Sequence, residues 1–175
     1  MTGDAEISLI DHLVAGRECG DCTACCKELV IEDPDFEKDA DVWCQNCVAG
    51  KGCGIYPDRP ETCKEWYCMW RLNDTFGDGL RPDKCGVLFH LTTEHIPDRF
   101  AGKTGLAAKA TEDYKSFQSP GVAQILATYY GGGVPVFVNF GDLSLLLNDA
   151  LNDMPAPNWE SLAAAIIQVF DQAGA

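Results

Sequence analysis

Nine cysteines fall between residues 19 and 68: Cys19, Cys22, Cys25, Cys26, Cys44, Cys47, Cys53, Cys63 and Cys68. The tenth, Cys85, stands apart, and the 90 residues after it contain none. Thiolates favour Zn²⁺ and iron, and a Cys-x2-Cys step at a tight turn brings two sulfurs to one ion. The opening stretch MTGDAEISLIDHLVAGREC has neither a basic start nor a long apolar run, so it does not read as a signal peptide. A cytoplasmic, reducing setting is therefore expected, in which clustered thiols hold metal rather than disulfides. Cys85 reads as a small buried apolar residue.

The spacing carries more than the count. Adjacent side chains point about 100° apart on a helix and to opposite faces on a strand. Cys25 and Cys26 therefore fit two neighbouring sites, or one larger cluster, better than a single ion. Cys63 and Cys68 are five residues apart, which on one continuous helix leaves them about 140° apart around the axis. Either that helix starts late or the two thiols serve different sites. Cys44-x2-Cys47-x5-Cys53, interleaved with Gly50, Gly52 and Gly54, reads as a knuckle. Nine thiols exceed the four that one tetrahedral ion uses, while two four-thiolate zinc sites take eight. A single [4Fe-4S] cluster takes four and strands five. Cys19-x2-Cys22-x2-Cys25 matches the start of the bacterial ferredoxin run, but the next cysteine follows at once and no proline comes after it.

CGDCTACC, WCQNC, GCGIYPDRPETC and WYCMW together resemble the bacterial CxxCxxCC family, the YkgJ-type zinc- or iron-chelating domain. The likeness covers about residues 19–70 and includes the block Cys53-Gly-Ile-Tyr-Pro-Asp-Arg-Pro-Glu-Thr-Cys63 followed by Cys68. It implies chelation of zinc or iron by Cys19, Cys22, Cys25, Cys26, Cys53, Cys63 and Cys68. Cys44 and, less directly, Cys47 join them, because members differ in how the middle stretch supplies thiols. The resemblance supplies no substrate, and some relatives carry iron–sulfur oxidoreductase labels.

Three functions compete. The first is a protein that chelates zinc or iron through clustered thiolates. The second is an iron–sulfur oxidoreductase or electron carrier, and the third is a zinc-stabilised module for partner binding. Whether the chain is an enzyme stays open. With 27 acids against 13 bases the formal charge is −14, which leaves no basic surplus for nucleic acid or anionic lipid. No apolar run approaches the roughly 20 residues of a membrane span. Walker, GxGxxG, HExxH and Gly-x-Ser-x-Gly patterns are absent. Tyr56, Arg59 and Pro60 read as structural: the proline sets the entry to a helix, and the arginine bonds carbonyls or offsets thiolate charge. His12, His90 and His95 share no ligand spacing, and His95 is the best auxiliary ligand of the three. The acidic stretch 32–41 holds six acids and one lysine and reads as a mobile loop.

The elements expected to position these groups form an α+β protein. A cysteine-rich metal-binding region, residues 1–79, is expected to pack on a small, mostly antiparallel sheet with helices, residues 80–175, as one compact domain. Helices are expected over 4–15, 60–72, 120–130 and 159–172, the last capped by Asn158. Strands are expected over 29–31, 86–92, 134–140 and 143–147, with 95–100 as a hairpin partner, a turn at 80–83, and Trp66 and Trp70 packing on the second half.

Overall fold

The computed structural model describes residues 9–34, 36–151 and 158–175. The chain divides into two units between Phe76 and Gly77. Small helices and hairpins make up the first, and helices with a mixed four-stranded sheet make up the second, an α+β composition.

In the first unit, helical periodicity predicts a helix over 4–15, whose residues 4–8 lie outside the described residues. From Leu9 the chain forms a single 3-10 turn, Leu9–His12, and bends at Gly16. Helix α1, Ala24–Glu28, carries Cys25 and Cys26 and stops where Leu29 turns extended. Strands β1, Ile31–Asp33, and β2, Phe36–Lys38, then pair antiparallel with Ile31 opposite Lys38. The acidic stretch thus departs from the expected loop. Its alternation sends Ile31 and Lys38 inward and Glu32 and Glu37 outward, which is the period of a strand. Strands β3, Cys47–Val48, and β4, Gly52–Cys53, form a second minimal hairpin.

Pro60 opens α2, Glu61–Glu65, as its position predicts, but the helix does not run on to 72. Trp66 and Cys68 are extended, and a new turn, α3, spans Met69–Leu72. Tyr67, Met69, Trp70 and Arg71 are all buried. On one continuous helix at about 100° per residue they would spread around the whole circumference. The break lets all four face inward.

The second unit begins with a 3-10 turn at Asp78–Leu80 and helix α4, Pro82–Cys85, closed by Gly86 in the left-handed region. Then follow β5 (Val87–Thr92), β6 (Gly105–Ala110), α5 (Pro120–Gly131), β7 (Val136–Phe140), β8 (Leu143–Leu146), α6 (Leu147–Ala150) and α7 (Trp159–Ala173). The sheet runs β5-β6-β7-β8, with β6 and β7 parallel and the outer pairs antiparallel. Helix α5 lies in the crossover between the parallel strands, where such a connection needs a helix. It packs on α7, and Leu106, Leu126, Val136, Leu162, Ile166 and Phe170 are almost fully buried. The Asn158 side chain accepts from Ser161 N at 2.8 Å and caps α7 as expected.

The partner of β5 is β6, not residues 95–100. His95 sits at φ 56 in a turn, and Asp98–Phe100 form 3-10 helix. Ala-Ala-Lys-Ala in β6 has weak strand propensity, and its pairing with β5 on one side and β7 on the other overrides that preference. No described helix is long and apolar enough to cross a membrane.

Candidate metal centre

None of the ten cysteines is disulfide-bonded. Cys25 and Cys26 are consecutive on α1, so their side chains diverge by about 100°. Their sulfurs nonetheless hydrogen-bond each other, and beyond that bond they meet different neighbours. Cys25 feels the charges of Cys19 and Cys22, and Cys68 feels the same two. Cys26 bonds to Cys47, and Cys63 feels Cys44, Cys26 and Cys53. By these further neighbours the nine thiols sort into four, Cys19, Cys22, Cys25 and Cys68, and five, Cys26, Cys44, Cys47, Cys53 and Cys63, with the Cys25–Cys26 hydrogen bond joining the two sets. The break between α2 and α3 separates Cys63 from Cys68 in the same way.

Local backbone chemistry builds both groups. In the first, Cys22 N donates to Cys19 O at 3.0 Å, closing the Cys-x2-Cys turn. In the second, Cys47 N donates to Cys44 O at 3.0 Å, and Cys44 N reaches Cys26 O at 2.9 Å. Cys47 and Cys53 then face each other across β3 and β4. The groups adjoin because Gly52 of β4 packs on the first turn. A Cβ there would lie 2.3 Å from Gly20 O, and φ is +90°, so only glycine fits.

Cations and a phenol surround the sulfurs. Arg71 donates to Cys19 Sγ at 3.5 Å and the Tyr56 hydroxyl donates to it at 3.7 Å. Lys38 is buried and spends three donors on the carbonyls of Lys27, Asp39 and Val42 at 2.8–2.9 Å. Arg59 donates to the carbonyls of Tyr56 and Cys63, each at 2.9 Å, which is the structural role its sequence block suggests. The Arg17 guanidinium lies 5.1 Å from the Trp70 ring centre. Cys85 belongs to the second unit and donates to the carbonyls of Leu80 and Val87. His95 is in that unit as well.

The thiols divide by acidity. A hydrogen bond from Cys25 lowers Cys26 to about 6, and Cys47 and the Lys38 charge assist against burial. The same hydrogen bond, with burial, pushes Cys25 well up. Burial, with thiolate neighbours, raises Cys47 and Cys68 to about 11 each, and raises Cys53 and Cys63. In the metal-free chain the thiolate is the nucleophile. Cys26 is thus expected to be the first of these six thiols alkylated by a haloacetamide at pH 7, with a midpoint near 6. Mass spectrometry of the modified peptides checks this, and earlier labelling of Cys25 or Cys68 would contradict it. By linkage, a depressed thiol stabilises the fold above its unfolded value and loses that contribution as pH falls through about 6. Raised thiols act oppositely, and their contribution is lost as pH climbs past their folded values.

Among the described residues, no three Cys, His, Asp or Glu side chains close on a point that could hold an ion as they stand. The donor chemistry fits a thiophilic metal: each group offers at least four sulfurs, with cations beside them. Sequence reading reached the nine thiols but missed Arg71 and Lys38. The only signal was one lysine among six acids, and an arginine three residues past Cys68. No family model, curated protein or solved structure matches the chain.

Proposed function

We propose that the first unit chelates zinc or iron in two thiolate centres. One uses Cys19, Cys22, Cys25 and Cys68. The other draws four ligands from Cys26, Cys44, Cys47, Cys53 and Cys63. The differing further neighbours of the adjacent pair Cys25-Cys26, Cys19 and Cys22 on one side and Cys47 on the other, carry this reading. It gives each group enough sulfur for a tetrahedral ion, and the CxxCxxCC resemblance points to the same chemistry. Binding requires the thiols to turn inward and shed protons, so metal uptake must release acid.

One observation favours iron in the first centre. Three cysteines at Cys-x2-Cys-x2-Cys spacing, joined by the remote Cys68, form the kind of ligand set that holds a [4Fe-4S] cluster. Protein purified without oxygen and analysed for zinc, iron and sulfide separates the cases. A colourless protein with zinc supports two tetrahedral ions. A brown protein with iron and acid-labile sulfide supports an iron–sulfur centre and an electron-transfer role. A chain that takes up neither metal under reducing conditions defeats the proposal.

A further inference from the structure

In the first unit the apolar side chains of Val30, Val42 and Trp43 are 51%, 52% and 56% exposed. The hairpin brings them together. Ile31 of β1 pairs with Lys38 of β2, so the next residues outward, Val30 and Asp39, leave the ladder side by side. The Lys38 ammonium donates to the carbonyls of Asp39 and Val42 at 2.8 Å each, which folds the chain back on itself. Trp43 follows, and Cys44 N donates to Cys26 O at 2.9 Å, fastening the segment to α1. Between the two anchors Asp41 sits at φ 61, a left-handed conformation that an L side chain adopts at a cost. The backbone is thus held at both ends, while the indole and both valines face water.

Single exposed apolar residues need no explanation, but a contiguous set rimmed by polar groups marks an interaction surface. Tryptophan is also among the residues that dominate binding energy at interfaces. The rim here is acidic. Glu37 and Asp39 are exposed, and so is Glu32, directly opposite Glu37 across the hairpin. Like charges so paired repel, an arrangement that folding does not favour. They also select the occupant. A second copy would bring the same acids face to face, in a chain of formal charge −14. Anionic lipid and nucleic acid are disfavoured for the same reason. A basic protein segment with apolar side chains among its lysines or arginines satisfies both the patch and its rim.

We propose that Val30, Val42 and Trp43, rimmed by Glu32, Glu37 and Asp39, form a docking surface for such a basic, apolar-bearing segment of a partner protein. Trp43 precedes Cys44 directly, so a docked partner lies beside the group of five thiols. The surface does not depend on which metal the thiols hold.

The test uses the full-length chain purified without oxygen and a short fluorescent peptide of alternating lysine and leucine, with binding read by anisotropy. Two control peptides replace leucine by serine, or lysine by glutamate. The lysine–leucine peptide is expected to bind, the glutamate–leucine peptide not at all, and the lysine–serine peptide at least about 10-fold more weakly. Trp43→Ala is expected to weaken lysine–leucine binding by about 10- to 30-fold. Val42→Ser, expected to weaken it a few-fold, keeps the test open should Trp43→Ala fail to fold. Glu37→Gln with Asp39→Asn should weaken binding and flatten its salt dependence. Glu112→Gln with Asp142→Asn makes the same charge change on exposed acids of the second unit and should leave binding within about two-fold of wild type. Equal binding of the lysine–leucine and lysine–serine peptides overturns the proposal, as does wild-type affinity in folded Trp43→Ala. Equal weakening by the two charge-pair variants overturns it too, because that marks diffuse attraction to an acidic chain. Self-association, or binding to phosphatidylserine vesicles, that Trp43→Ala abolishes would give the patch a different occupant and likewise overturn it. Specific peptide docking by a chain that takes up no metal would support this surface while defeating the thiolate reading above.

Discussion

Chelation of all metal under reducing conditions is expected to open the first unit to protease while residues 77–175 stay resistant. The physical reason is the difference in what each unit can bury. Among the described residues before Gly77, no helix exceeds five residues and no strand exceeds three. Such elements are far too short to persist alone, since helix nucleation is unfavourable and two-stranded hairpins are marginal in water. Their buried apolar side chains amount to Ile31, Cys44, Tyr67, Met69, Trp70 and Phe76. The second unit has helices of 12 and 15 residues on a four-stranded sheet. A ligand present at 100 times its dissociation constant stabilises the folded form by about 2.7 kcal/mol, or about 100-fold in the open population. Cleavage between residues 17 and 72 should therefore accelerate by about that factor or more when metal is withdrawn. Equal resistance of both units after complete metal removal would show that the thiols are not what holds the first unit together.

The clustering of the thiols and the divergence of the adjacent pair were legible in the sequence, and the reason is geometric. Consecutive side chains seldom aim at one ion, so Cys25 and Cys26 fit two sites or one larger cluster; in the fold they hydrogen-bond each other and differ in their further neighbours. For Cys63 and Cys68 the alternatives were a late helix start or separate sites, and the fold instead interrupts the helix, with α2 ending at Glu65 and α3 beginning at Met69. In the second unit, α5, α7 and the strands at 87, 136 and 143 were readable because period and capping agree there. What sequence could not yield was long-range. Gly105–Ala110 became a strand through its place between β5 and β7, against the helical preference of alanine and lysine. His95 was lost as a strand residue to a left-handed turn. Lys38 and Arg71 look like ordinary surface charges in sequence. Only folding shows that one ends a hairpin against α1 and the other lies under a sulfur. Polar residues recruited by distant segments leave no local pattern, so the clustered thiols could be read from sequence while the burial of these two cations could not.

More than one metal ion per chain is expected in anaerobically prepared protein, two where both centres hold zinc, with losses that follow the two thiol groups. Cys68→Ser should remove one ion and Cys63→Ser the other, because each variant strikes a different group. Serine is a poor substitute ligand, since its hydroxyl stays protonated where a thiolate would form. Cys85→Ser should leave the content at its wild-type value, because Cys85 bonds carbonyls within the second unit. The double variant Cys63→Ser with Cys68→Ser should bind essentially none, whereas Cys25→Ser with Cys68→Ser should lose only the ion that Cys68→Ser alone loses. Within the group of five, one sulfur is surplus to a tetrahedral site. Removing the surplus thiol should cost little, while removing Cys26 should cost an ion, because its lowered pKa makes it a readier thiolate than Cys47, Cys53 or Cys63. Elemental analysis per mole of protein, paired with a count of thiols still open to reagent, reads all of these. A reproducible single ion with every other cysteine reactive would defeat the two-centre arrangement. Equal metal loss in Cys63→Ser and Cys85→Ser would defeat the assignment of ligands even if two ions were found.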